Sequence, residues 1–169
     1  MKAAVTIVGI DPGLATTGYG VVRHAGNRFE LIEHGTVTTP PGEPLGARLC
    51  VLRDGLGELL ESHAPSEGAV ERLFFNVNVQ TAFSVGQARG VALLALADAG
   101  LVVSEYTPSE VKLAVVGYGA ADKKQVQYMV RTILGMDAPP KPADAADALA
   151  VAICHAHSRT SLRRRELVR

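Results

Sequence analysis

Four acidic side chains occupy positions where folding alone does not explain a carboxylate: Asp11, Glu71, Asp144 and Asp147. Asp11 directly follows a mostly apolar run, residues 5–10, that predicts a buried strand. Glu71 follows a second, shorter apolar stretch. Buried carboxylates are costly, and proteins normally pair them with cations or bind them to metal. The four acids together therefore predict a site for divalent metal.

The spacing of Asp144 and Asp147 supports this prediction only in combination with the other two acids. They lie three positions apart at the start of an alanine-rich segment, so a helix would project both from one face. Acids in a first helical turn are also plain helix stabilisers, worth roughly 0.3–1 kcal/mol. Asp11, before Pro12 and Gly13, likewise fits a turn residue. An all-oxygen ligand set favours a hard cation, Mg²⁺ or Mn²⁺.

Basic and aromatic residues suggest contacts with phosphate and bases. Lys112 and the adjacent Lys123 and Lys124 precede or open predicted helices, where they can counter phosphate charge or be solvated surface residues. Phe74 and Phe75 follow the second acidic position, and two adjacent rings cannot both face one core. One is therefore free to stack on a base, an interaction worth roughly 1–3 kcal/mol.

Two other patterns suggest different chemistry. Cys154, His155 and His157 resemble part of a zinc site, but only Cys154 and His157 share a helix face, and no second half of a site exists. Residues 11–18 resemble the first phosphate loop of actin-like kinases and ATPases. Those proteins duplicate the domain, and 169 residues leave no room for a second copy.

The elements that must position these residues follow an α/β pattern. Residue patterns predict strands near 3–11, 18–22, 29–38, 69–73 and 101–106, and helices near 45–62, 79–98, 108–116, 122–134 and 143–158. Three meander strands followed by alternating helices and strands indicate a five-stranded mixed sheet, its first three strands antiparallel, with helices on both faces. We expect one domain over 1–158 and a mobile basic tail over 159–169. If the first and fourth strands are neighbours, Asp11 and Glu71 face each other.

The composition is typical of a soluble globular protein, with 47% hydrophobic and 20% charged residues. No segment approaches the roughly 20 apolar residues that span a bilayer, and Cys50 and Cys154 lack CxxC spacing, so we expect a cytoplasmic protein with free thiols. The 17 basic and 17 acidic residues balance, which argues mildly against binding of nucleic acid. Two bound divalent ions would raise the net charge to about +4 and weaken that argument.

In their order along the chain, the motifs resemble the RuvC family of Holliday junction resolvases, in the RNase H-like superfamily. The matching segments run nearly end to end and are residues 9–13, 17–21, 71–75, 86–91, 116–119, 121–123, 125–126 and 143–150. The Asp-Pro-Gly opening alone is shared with relatives and phosphate loops, whereas the ordered set is highly specific. One departure is Arg72, where the family commonly has Gln.

The resemblance implies an RNase H-like fold and a metal-dependent endodeoxyribonuclease that resolves Holliday junctions by paired symmetric nicks during recombination and repair. It implies that the metal-binding catalytic acids are Asp11, Glu71, Asp144 and Asp147. It also implies two basic active-site residues, Lys112 and Lys123. The DNA contacts that it implies are Phe74, Phe75, Arg72 and Lys124.

The implied cofactors and partners follow from the same resemblance. Two Mg²⁺ ions per subunit, with Mn²⁺ as the alternative, would support two-metal hydrolysis. A four-way junction must be cut on two opposed strands, which a C₂ homodimer achieves with two identical sites. Residues 79–98 are apolar or small nearly all round the predicted helix, so they are the candidate interface. The resemblance also admits a branch-migration motor complex as a partner.

Three alternatives stay open at this point. An RNA-processing nuclease of the same superfamily would cut RNA and leave four-way DNA intact. A non-catalytic junction-binding protein would lose no activity in Asp11→Asn. An actin-like phosphotransferase would bind nucleotide.

Overall fold

A five-stranded mixed sheet is the frame of the structure, a computed structural model that describes residues 4–72 and 79–166, with side chains over 4–72 and 82–159. The strands are β1 (Val5–Asp11), β2 (Thr16–Ala25), β3 (Arg28–Thr38), β4 (Glu67–Glu71) and β5 (Val103–Tyr106). The sheet order is β3-β2-β1-β4-β5. The first three strands are antiparallel, while β4 runs parallel to both β1 and β5. The predicted fold class is confirmed.

Helices cover both faces of this sheet because neighbouring strand residues point to opposite sides. The helices are α1 (Leu45–His63), α2 (Val79–Asp98), α3 (Pro108–Val116), α4 (Lys123–Leu134) and α5 (Ala143–Glu166). Ile7 belongs to the core formed with α3, α4 and α5. Its neighbour Val8 belongs to the core formed with α1 and α2. In the described part of the chain, no helix is long and apolar enough to cross a membrane.

The helix ends explain most boundary differences from the predictions. Asp122, predicted as the first residue of a helix, is the N-cap of α4, where its carboxylate accepts from the Gln125 amide. The last helix continues to Glu166 instead of ending at 158. Its extension is anchored by Arg159, whose guanidinium donates two hydrogen bonds to Glu67, at 2.7 and 2.6 Å. The predicted basic tail therefore begins as part of α5.

Glycines in β1 and β2 let α5 lie directly against the sheet. A Cβ on Gly9 would overlap the backbone carbonyl oxygen of Ala148, and one on Gly18 would overlap that of Asp144. The facing side of α5 is buried alanine at positions such as Ala145 and Ala148. This close approach fixes the distance between the start of α5 and the sheet, where the end of β1 pairs with the beginning of β2.

Candidate active site

Asp11 and Glu71 end two neighbouring parallel strands. β1 and β4 pair in register up to Ile10 and Val70, and the next residue in each strand is the acid. Parallel strands present their carboxyl ends at the same edge of a sheet, so the two carboxylates share one edge. The condition on which the sequence placed Asp11 and Glu71 together, that these two strands are neighbours, is therefore met. Both side chains are half-buried.

The start of α5 brings the other two acids to this edge. Asp11 pairs across the sheet with Gly18, and the backbone of Asp144 lies directly over Gly18. Asp147 follows one turn later on the same helix face. Three elements that are distant in sequence thus deliver the four acids, and the arrangement depends on glycine at position 18.

Mutual repulsion and burial shift the pKa values of two of these acids. Burial, followed by the charges of Glu71, Asp147 and Asp144, raises the pKa of Asp11 to about 7. Burial and the charge of Asp147 raise the pKa of Glu71 to about 6, and Lys123 and Lys112 oppose that increase. Raised carboxyl pKa values at a clustered set of acids are typical of a functional site.

Two lysines complete the edge. Lys123, at the start of α4, donates from Nζ to Oδ2 of Asp147 at 2.6 Å, and this contact is the main reason that the pKa of Lys123 is raised. Lys112 projects from α3 and lines a cavity of about 220 Å³ together with Glu71, Lys123 and Asp147. Both predicted lysines therefore lie beside the acids.

The donor set fits a hard divalent cation in its chemistry, since four carboxylates supply only oxygen ligands. In residues 4–72 and 79–166, no three His, Cys, Asp or Glu side chains lie close enough to enclose an ion as placed. Asp147 is instead bonded to Lys123. Rotation of the carboxylates toward one another would be needed to hold an ion.

The predicted DNA-contact residues are placed less completely. Arg72 is exposed, and its Nε lies 3.7 Å from the carboxylate of Glu105, which forms a closer pair with Arg89 at 2.6 Å. Lys124 is exposed on α4. Phe74 and Phe75 lie outside the described residues.

The zinc alternative fails because its three residues face different partners. The thiol of Cys154 points to the carbonyl oxygen of Glu110, and Nδ1 of His157 lies 3.1 Å from the carbonyl oxygen of Ala114. His155 bridges the Tyr106 hydroxyl and the Glu67 carboxylate. Among the residues that the structure describes, these three therefore form no common site.

One residue near the acids was not predicted from the sequence pattern. Arg48, in the first turns of α1, lines a cleft of about 770 Å³ that also includes Asp144. A single arginine in an amphipathic helix carries no pattern that marks it as functional. Only the packing of α1 beside the β1–β2 loop reveals this position.

Comparison with known proteins agrees with the geometry. The family model for crossover junction endodeoxyribonuclease RuvC matches residues 7–155, which is most of the chain. The chain belongs to the RuvC family. Membership identifies it as a crossover junction endodeoxyribonuclease with an RNase H-like fold, and it implies dependence on a divalent metal. An actin-like phosphotransferase and a non-catalytic binding protein are both excluded.

Individual relatives match over almost their whole length. The RuvC of Pelotomaculum thermopropionicum is 56% identical over 161 residues, covering 95% of this chain and 98% of the relative. The RuvC of Rubrobacter xylanophilus is 58% identical over 152 residues, covering 90% of this chain and 85% of the relative. The solved structure of Thermus thermophilus RuvC in complex with a Holliday junction substrate matches with a TM-score of 0.89 and 39% sequence identity. The match covers 93% of this chain and 96% of the Thermus chain.

Proposed function

We propose that this RuvC-family protein resolves Holliday junctions during recombination and repair by paired, metal-dependent nicks. The observation that carries the proposal is the convergence of four acids from β1, β4 and α5 at one sheet edge, with two lysines beside them. Phosphodiesters are anionic, so their hydrolysis requires charge neutralisation, an activated water and a stabilised leaving oxygen. The acids and lysines suit these three requirements.

The four acids form the proposed metal site. Asp11 would be the central ligand of this site, because it lies close enough to all three other acids for their charges to raise its pKa. Glu71, Asp144 and Asp147 would supply the remaining ligands. Two Mg²⁺ ions, with Mn²⁺ as the alternative, would when bound activate water and stabilise both the attacking and the leaving oxygen. Asp11 must first lose the proton that its raised pKa favours, so higher pH favours the binding form.

The lysines act on the phosphate. Lys112 or Lys123 would stabilise the negative charge that develops on the phosphoryl oxygens in the transition state. In the structure Lys123 neutralises Asp147. Asp147 would help to hold the metal, and Lys123 beside it would face the phosphate. Phe74, Phe75, Arg72 and Lys124 remain the proposed contacts with junction DNA.

A homodimer is the proposed assembly, because two opposed strands of a junction need two identical sites. α2 is the proposed interface. Phe83 and Leu94 lie on one side of this helix, are eleven positions apart and are 70% and 55% exposed. Gly90 lies between them on the same side and is also exposed. We further propose a cytoplasmic location, and a branch-migration motor complex remains a proposed partner.

A synthetic four-way DNA junction, incubated with the full chain and Mg²⁺ or Mn²⁺, tests this function. The proposal predicts nicks at symmetric positions on two opposed strands, while linear duplex of the same sequence stays intact. Mapping both ends of the products distinguishes paired nicks from random cutting. Equal cutting of linear duplex, or cutting of RNA with the DNA junction intact, would contradict the proposal.

A further inference from the structure

A second cleft opens at the active-site edge, on the side away from the two lysines. It has a volume of about 770 Å³, within the range of ligand sites. Its walls are the β1–β2 loop at residues 13–16, Arg48 of α1, Ser84 of α2 and Asp144 of α5. Glu71 and Asp147 line the lysine cavity instead. Three of the four acids therefore line two different clefts, each of which has a basic side chain.

Arg48 is held in a fixed position by neutral acceptors. Its Nε donates to the hydroxyl of Thr39 at 2.9 Å, and its Nη2 donates to the carbonyl oxygen of Leu14 at 3.4 Å. The Thr39 hydroxyl also donates to the Leu14 carbonyl at 2.6 Å. The side chain is half-buried, so its orientation is largely determined before any ligand arrives.

The charge of Arg48 is not neutralised by its neighbours. Within the described side chains, no carboxylate lies within 4.0 Å of its guanidinium, whereas Arg53, five residues further along α1, pairs with Asp54 at 2.7 Å. A guanidinium has five N–H donors in a rigid fork, and Arg48 uses two of its nitrogens for the contacts above. The remaining donors and the full positive charge suit a phosphate, which arginine can bind with two parallel hydrogen bonds.

We propose that Arg48 binds a backbone phosphate of the DNA strand that enters the active site, next to the scissile phosphate on the Asp144 side. This inference rests on the proposed function, because it assigns one end of the path of the cleaved strand. The strand would run from Arg48 across the acids to Lys112 and Lys123. Asp144 faces the same cleft, so its negative charge would confine the anion to the Arg48 end.

The test compares three variants in the cleavage-blocked Asp11→Asn background, with junction DNA and Mg²⁺. Arg48→Gln removes the charge, Arg48→Lys keeps the charge without the fork, and Arg53→Gln removes a charge from the same helix on a different cavity. We expect Arg48→Gln to weaken junction binding about tenfold and to lower the slope of log K against log salt by about 0.9. Arg48→Lys should keep the slope, and Arg53→Gln should change neither quantity.

A neutral methylphosphonate, placed at successive positions beside the cut, then locates the contact. At the phosphate bound by Arg48, the substitution should weaken binding of the Asp11→Asn protein but should not weaken Asp11→Asn/Arg48→Gln further. An unchanged salt slope in Arg48→Gln, with equal losses in Arg48→Gln and Arg48→Lys, would overturn the inference and leave Arg48 as a brace of the β1–β2 loop. If protein without these substitutions fails to nick the junction, the proposed function itself fails.

Discussion

Asp11 experiences the strongest electrostatic conflict at the site. It is half-buried and faces three other acids, so its pKa rises to about 7 from an ordinary 3.8. Between those two values, the folded protein keeps a proton that the unfolded chain has already released. Raising the pH through this window therefore destabilises the metal-free fold. The clustered acids thus lower the stability of the metal-free fold, and the same cluster is the proposed cation site.

This conflict predicts an unusual pH dependence of stability. In metal-free buffer, the free energy of unfolding should fall by roughly 2–3 kcal/mol from pH 5 to pH 8 through Asp11 alone. Asp11→Asn should flatten that profile, and added Mg²⁺ should restore stability at pH 8 in the native protein. Urea denaturation at several pH values measures the free energy of unfolding in each case. Asp137→Asn, at an exposed acid, is the control, and an equally steep profile in Asp11→Asn would contradict the account.

At the scale of elements, the site depends on how closely α5 approaches the sheet. Gly18 pairs with Asp11 within the sheet and lies beneath the carbonyl of Asp144. One backbone contact therefore sets the distance between the strand acid and the helix acids. α4 adds Lys123, whose position depends on the Asp122 cap.

Gly18→Ala tests this dependence. The added methyl group should displace the start of α5, reduce stability by roughly 1–3 kcal/mol and lower the rate of junction cleavage. Gly46→Ala is the matched control, because a Cβ there meets nothing within 4 Å and helical alanine is favoured over glycine. Thermal unfolding and nicking rates measure both variants. Native activity in Gly18→Ala would show that the close approach of α5 to the sheet at Gly18 does not control the site.

The elements also show how far the sequence could predict this site. Apolar runs ending in acids placed Asp11 and Glu71 correctly, and the three-residue spacing placed Asp144 and Asp147 on one face. The contact between Lys123 and Asp147 and the cleft at Arg48 could not be predicted, because both arise from packing between elements far apart in sequence. The extension of α5 was missed because its anchor, the pair of Arg159 with Glu67, is also a long-range contact.

At the scale of the whole molecule, the proposed paired cutting would require two subunits. Leu94→Glu places a charge on the outward side of α2 and should convert the proposed dimer to monomer, with loss of paired nicks. Leu113→Glu is the matched control, since Leu113 is 58% exposed on α3 and Leu94 is 55% exposed. Analytical ultracentrifugation and product mapping measure the two effects. A dimer that persists in Leu94→Glu would move the interface away from this side of α2.

The central claim is that the four acids form one metal-dependent hydrolytic site. Its most direct test is the single-turnover nicking rate of a pre-bound four-way junction with Mg²⁺, comparing Asp11→Asn with Asp137→Asn. Both variants lose one negative charge, but only the first removes a proposed metal ligand. We predict that Asp11→Asn binds the junction and nicks it at least about a hundredfold more slowly, while Asp137→Asn nicks at the native rate. Nicking by Asp11→Asn at the native rate would contradict the account.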